Sequence, residues 1–248
     1  VAGFVAATYM RGVPYIQVPT TILAQVDSSV GGKVGVDTPY GKNTVGAFHQ
    51  PRAVVADLHF LAGLPKQHVI NGLLEAIKKF ITSDKAALKL VEKLDLAHPL
   101  KDPQVLQEII LRSVRGKARV IESDEEEKNE RKVLNFGHTI GHALELLSEY
   151  RLLHGYGVGY GILVETQIAT LLGILPERER AHVEKYLGQF SIKRSGLKKY
   201  PIEKIIAATR GDKKTRGGMP HYVLLQSIGS VYHKGGYVHP VKDAVLRK

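Results

Sequence analysis

Apolar residues between Gln67 and Ser83 recur at Val69, Ile70, Leu73, Leu74, Ile77 and Phe80, the three-and-four spacing of a helix with one buried face. The same reading predicts a second long helix over Pro103–Asp124 that carries Arg112, Arg115 and Lys117. A third helix holds His138 and His142, and its Ala143, Leu144, Leu146 and Leu147 suit packing into a core. A fourth starts near His154 and runs to Leu172; Pro176–Phe190 and Ile202–Thr209 are further helices. Before about Leu64 the pattern differs. Residues 1–11 read as a helix of small residues stopped by Gly12, Pro14–Pro19 as a short buried strand, and Val54–Asp57 as a second strand. Tyr222–Leu225 and Ser230–Tyr232 predict a closing pair of short strands. No internal repeat or low-complexity linker breaks the chain.

The 248 residues, 44% hydrophobic, suffice for one large domain or two smaller ones. The absence of cysteine removes disulfides, thiolate nucleophiles and Cys-type zinc sites, so a metal here needs His, Asp or Glu. No apolar run approaches membrane-spanning length. The net charge of +11 fits a nucleic-acid binder, a generally basic surface, or a site that collects an anionic, phosphorylated substrate. Against the first, the basic residues are spread along the chain without interleaved aromatics.

Candidate chemistry concentrates between Arg131 and Gly155. His138 and His142 stand at i and i+4 and so share one helix face, with Arg131 and Asn135 just upstream and His154 just downstream. Imidazoles on a buried face need partners: a metal ion, a carboxylate or an anionic substrate would each serve. The plainer alternative is core histidines bonded to backbone carbonyls. Glu75 lies in an apolar setting with Lys78 three residues on, which also fits a surface ion pair. Earlier, Asp27-Ser-Ser-Val-Gly31-Gly32-Lys33 lies between the two strands, an order that belongs to a nucleotide-binding α/β layout. It is not a P-loop, because Asp27 stands where that motif needs glycine and Val34 where it needs Ser or Thr. Gly31, Gly32, Lys33 and Lys42 make either an anion-binding loop or a plain surface turn. Asp124–Glu127 reads as a solvated loop and Asp212–Gly218 as a basic one.

Taken together, Arg11-Gly12, Pro19-Thr20-Thr21, Val26–Lys33, Gly41-Lys42-Asn43, Glu75-Ala-Ile-Lys78, Arg112–Lys117, Leu134–Ala143, His154-Gly155 and Asp212–Lys214 resemble the 3-dehydroquinate synthase family of sugar phosphate cyclases, across nearly the whole chain. The resemblance implies an α/β part followed by a mainly α part: the remnant of a dinucleotide-binding domain over 1–63, lacking its N-terminal portion, and a helical metal- and substrate-binding domain over 64–248. It implies one divalent ion, Zn²⁺ or Co²⁺, held by Glu75, His138 and His154, a set that suits either ion. NAD would be contacted by Thr20, Thr21, Lys33, Lys42 and Phe60, Leu61, Ala62, Gly63 and Leu64. Asp27, Lys78, Lys117, Arg131, Asn135 and His142 would hold the substrate's hydroxyls and carboxylate and relay protons. Arg11, Asn43 and Lys213 would hold its phosphate, Arg11 from a neighbouring subunit of a homodimer.

The implied reaction converts 3-deoxy-D-arabino-heptulosonate 7-phosphate to 3-dehydroquinate and phosphate, in the cytoplasm, with no nucleic-acid or membrane partner. Another sugar phosphate cyclase or an iron-type polyol dehydrogenase of the same fold is the nearest alternative, and an inactive remnant or nucleic-acid binder a third. Two departures from the family pattern stand out. Tyr156 follows His154-Gly155 where the family has a carboxylate, which affects the surroundings of the ligand. The family's Gly-Gly-Gly turn and acidic residue for the adenosine half of NAD do not occur in these residues.

Overall fold

The computed structural model describes residues 1–38, 41–210 and 219–248, with the backbone alone at Gly41 and Lys42. Helix α1 (Ala2–Thr8) leads through a single 3₁₀ turn to β1 (Ile16–Gln17), which pairs in parallel with β4 (Ala53–Val54). Between them, β2 (Lys33–Thr38) and β3 (Gly41–Phe48) form an antiparallel hairpin that packs on α1. The glycine-rich stretch is therefore the entry to a hairpin, with Gly31 (φ 105°) and Gly32 (φ 65°) making the left-handed turn that starts β2. The segment 14–19 is less buried than its sequence suggests. Ile16 and Val18 are exposed, because among the described residues β1 has a single paired neighbour.

The helical part is built around α2 (Lys66–Ser83). Its Val69, Leu73, Leu74, Ile77, Phe80 and Ile81 are buried, and so are Glu75, Lys78 and Lys79. A helix enclosed on so many sides buries its polar positions too. The cover comes from α4 (Pro103–Ser123), α6 (His154–Leu171) and the π-helical turn Ala24–Ser28. A short α3 (Leu88–Lys93), not anticipated above, packs Leu88 and Val91 into the same core. Helix α5 (His138–Leu147) lies along α6. Their approach depends on missing side chains: a Cβ on Gly161 would stand 1.8 Å from the Gly137 carbonyl oxygen, and one on Gly155 1.9 Å from that of Asn71. The first contact sets the start of α5 against the middle of α6, and the second sets the first turn of α6 against α2.

Helices α7 (Glu177–Gly188) and α8 (Ile202–Arg210) complete the helical layer. The closing strands differ from expectation in one respect. β5 (His221–Tyr222) pairs with β8 (His239–Pro240), and the tight hairpin is β6 (Leu225–Ser227) with β7 (Ser230–Val231). The chain ends in α9 (Asp243–Leu246). Among the described residues no helix is long and apolar enough to cross a membrane.

Candidate metal centre

Three helices converge on one point. Glu75 comes from the middle of α2, His138 is the first residue of α5, and His154 is the first of α6. The start of α5 is fixed by Gly137 at φ 78°, whose N–H donates to Glu165 Oε2 at 2.7 Å. The start of α6 is fixed by the Gly155 N–H, which donates to Asn71 Oδ1 on α2 at 2.6 Å. Both imidazoles therefore sit on rigid helix ends rather than on loops.

Glu75 Oε1 lies 3.7 Å from His138 Nε2 and 3.7 Å from His154 Nε2, and the ligand atoms of the three residues are all within 4.8 Å of one another. Glu75 is wholly buried. Its Oε2 accepts from Lys78 Nζ at 2.8 Å, while Oε1 has no hydrogen-bond partner. A buried carboxylate oxygen without a donor is costly. This one faces two imidazole nitrogens whose opposite edges are already engaged. His138 Nδ1 is 3.2 Å from the Phe136 carbonyl oxygen, and His154 Nδ1 is 2.6 Å from Glu145 Oε1. Each Nδ1 then carries the proton and donates it, which leaves each Nε2 lone pair aimed at Glu75. Two neutral imidazoles and one carboxylate fit a divalent cation such as Zn²⁺ or Co²⁺.

The i, i+4 pair does not coincide with this group. His142 stands beside the group, with ring centroids 5.3 Å from His138 and 5.9 Å from His154. It falls in a second cluster with Glu145 and His154. That cluster reads as a hydrogen-bonded one, since His154 cannot give Nδ1 both to Glu145 and to an ion. Glu145 is the residue that sequence reasoning passed over. It is buried on α5, three positions after His142, and an acid in the apolar run Ala143–Leu147 was its signal. It gives His154 a carboxylate partner on α5, whatever side chain follows Gly155.

The cationic residues divide into two groups. Lys78, Lys117 and Arg131 are buried, and Lys78 touches the cluster through Glu75. Lys78 donates to the Leu134 carbonyl at 2.6 Å as well as to Glu75. Lys117 Nζ donates to the Asp27 carbonyl at 2.6 Å and pairs with Asp27 Oδ1 at 3.1 Å. Arg131 is held by carbonyls, donating to Gly31 O at 3.0 Å and to Glu125 O, and it lies over the Phe48 ring. Asn135 donates to Glu127, which also pairs with Lys33, so the acidic loop 124–127 is less free than its composition suggests.

The remaining expected contacts are more dispersed. Thr21 Oγ1 accepts from Ala24 N at 3.1 Å, and Thr20 is exposed. In the segment 60–64, Leu61 is buried and Leu64 packs on the core, while Phe60, Ala62 and Gly63 are exposed. Arg11 is exposed, and the Asn43 N–H donates to Asp37 Oδ1. The Lys42 side chain and Lys213 lie outside the described residues.

Asp27 feels the densest charge. Burial pushes its pKa up, but the Lys117, Lys79 and Lys78 ammoniums outweigh that and hold it well below the ordinary carboxylate value of 3.8. The sign for stability follows. As pH falls, the unfolded chain takes up this proton before the folded one does, so the pair's stabilisation is complete above the unfolded pKa and is lost as pH falls through the folded value. Urea unfolding of the wild type should therefore weaken from about pH 4 downward more steeply than that of Asp27→Asn. Parallel acid profiles would refute the assignment.

The fold is that of the sugar phosphate cyclases. Among solved structures, 2-deoxy-scyllo-inosose synthase in complex with carbaglucose-6-phosphate, NAD⁺ and Co²⁺ superposes with a TM-score of 0.88 at 27% identity, over 99% of this chain and 69% of that one. The 2-epi-5-epi-valiolone synthase of Streptomyces hygroscopicus, with NAD⁺ and Zn²⁺ bound, gives 0.83 at 26%, over 99% and 68%. The models for the N-terminal and C-terminal parts of 3-dehydroquinate synthase match residues 1–71 and 72–215, and the chain belongs to the 3-dehydroquinate synthase family. It is 44% identical to the 3-dehydroquinate synthase of Symbiobacterium thermophilum over 93% of this chain and 64% of that one. It is 42% identical to the pentafunctional AROM polypeptide of Schizosaccharomyces japonicus over 99% of this chain and 17% of that polypeptide. The chain thus spans about two thirds of the single-function relative's length and a small part of the multifunctional one's.

Proposed function

We propose that this chain carries the metal- and substrate-binding machinery of a 3-dehydroquinate synthase, which converts 3-deoxy-D-arabino-heptulosonate 7-phosphate to 3-dehydroquinate and phosphate. The observation that carries the reading is the partnerless Glu75 Oε1 facing the Nε2 atoms of His138 and His154. Glu75, His138 and His154 would hold one divalent ion, Zn²⁺ or Co²⁺. When bound, that ion supplies Lewis acidity and NAD supplies reversible hydride exchange.

The chain's own residues supply position and protons. Lys117 and Arg131 gather the carboxylate and hydroxyls of the sugar acid from two separate elements. Asp27 and Asn135 accept from and donate to hydroxyls, and Lys78 places a positive charge beside Glu75. His142 borders the cluster without belonging to the ligand trio, the place for a group that takes up and returns a proton. Arg11, Asn43 and Lys213 serve the phosphate, with Arg11 acting across a homodimer. Thr20, Thr21, Lys33, Lys42 and residues 60–64 serve NAD. In this reading residues 1–63 are the nucleotide part, residues 64–248 are the catalytic part, and the protein works in the cytoplasm without a nucleic-acid partner.

A phosphate-release assay on two sugars tests the reading. The heptulosonate phosphate should yield inorganic phosphate with no net change in NAD, and sedoheptulose 7-phosphate, which lacks the carboxylate, should be a far poorer substrate. Equal rates, or steady NADH accumulation, would place the chain elsewhere in this fold.

A further inference from the structure

Behind Asp27 stands a lysine, Lys79, that the reading above does not use. The Asp27 carboxylate belongs to the π-helical turn Ala24–Ser28 and keeps 24% of its side-chain surface open. Two ammoniums approach its Oδ1, Lys117 at 3.1 Å and Lys79 at 2.9 Å. They are not equivalent. The Lys79 side chain is 3% exposed, and its three donors have three protein partners: Asp27 Oδ1, the Val26 carbonyl oxygen at 2.6 Å and Ser113 Oγ at 3.2 Å. Lys117 meets only Asp27, through the carbonyl and Oδ1, and so retains a donor that no described protein group takes up.

A fully buried ammonium is expensive to keep. Burial pulls the Lys79 pKa down to about 8 despite the attraction of Asp27, so the protein tolerates a strained charge at this position. A methionine or leucine would fill the same volume more cheaply. What the ammonium adds is direction: it ties α2, α4 and the turn 24–28 to one oxygen of one carboxylate.

From this geometry we infer that Lys79 is a positioning residue for Asp27. Its ammonium, with every donor spent inside the protein, fixes Oδ1 from behind, and thereby presents Oδ2 and the remaining Lys117 donor as a matched acceptor and donor for a hydroxyl of the polyol substrate. Lys79 itself touches no substrate. The inference rests on Asp27 being a substrate contact, as proposed above.

A double-mutant cycle on KM separates positioning from general support of the fold. Lys79→Met should raise KM for the heptulosonate phosphate roughly tenfold. It should leave the visible spectrum of the Co²⁺-loaded protein unchanged, since no metal ligand moves. In an Asp27→Asn background the same substitution should add nothing further to KM. A Lys79 effect of the same size in both backgrounds, or an altered Co²⁺ spectrum, would overturn the inference. If Lys79→Met does not fold, Lys79→Gln replaces it, because Gln can still bond the Val26 carbonyl and Ser113 without the charge. If the wild-type protein releases no phosphate from the sugar acid, the functional reading falls by itself. A crystal structure of the Lys79 variant then decides the positioning claim: a carboxylate turned away from Lys117 upholds it, and an unmoved Asp27 refutes it.

Discussion

Glu75→Gln and His154→Ala should each abolish stoichiometric binding of Zn²⁺ or Co²⁺, and activity with it, whereas His142→Ala should keep the metal and lose rate. The three ligand atoms lie within 4.8 Å of one another on the ends and middle of three packed helices, so each substitution removes one of the three donors the trio offers. Two remaining ligands do not make a structural or catalytic site for these ions. The loss should exceed the ~10–100-fold typical of residues that only support a ligand. Glu75→Gln is the better probe than Glu75→Ala, which would leave the buried Lys78 ammonium with the Leu134 carbonyl alone. Removing one partner of a buried ion pair commonly costs about 3–5 kcal/mol and can unfold a domain. Elemental analysis of the three purified variants reads the result directly. Metal lost only from the His142 variant would restore the i, i+4 pair as the ligands and break the trio.

How far the sequence alone reaches can be judged from particular residues. The long helices were legible because their cores are amphipathic on the 3.6-residue period: α2 begins at Lys66 against an expected Gln67, and α4 ends at Ser123 against Asp124. The β2–β3 hairpin was not, because glycines and lysines in Gly31–Lys42 masked the alternation of Val34 and Val36 with Lys33 and Asp37. Burial at Ile16 was misjudged for a different reason, since it depends on which neighbours a strand has, and local pattern carries no such information. The centre shows the same limit. His138 and His142 announce themselves by spacing, but the trio joins positions 63 and 16 residues apart along the chain, and its geometry exists only once α2, α5 and α6 have packed. The resemblance to a family supplied that trio where periodicity could not. Neither pattern nor resemblance pointed to Lys79, which looks like a surface residue beside Lys78 until α4 and the turn at Asp27 close over it.

Glu145→Ala should weaken metal binding by about 10–100-fold without removing a ligand. Glu145 Oε1 sits 2.6 Å from His154 Nδ1 and is itself buried, so it does two things for the ion. It holds the proton on Nδ1, which commits Nε2 to the metal side, and its negative charge raises the electron density of the imidazole it accepts from. It also fixes the ring plane, because the His154 backbone is already set by the first turn of α6 against Asn71. Glu145→Gln separates these roles. The amide oxygen can still accept from Nδ1, so orientation survives and only the charge is lost. Affinity should then fall by less than in Glu145→Ala, and the Co²⁺ absorption bands should keep their shape. Competition against a chelator of known affinity measures both variants on the same scale. Wild-type affinity in Glu145→Ala would show that α6 alone holds His154 in place.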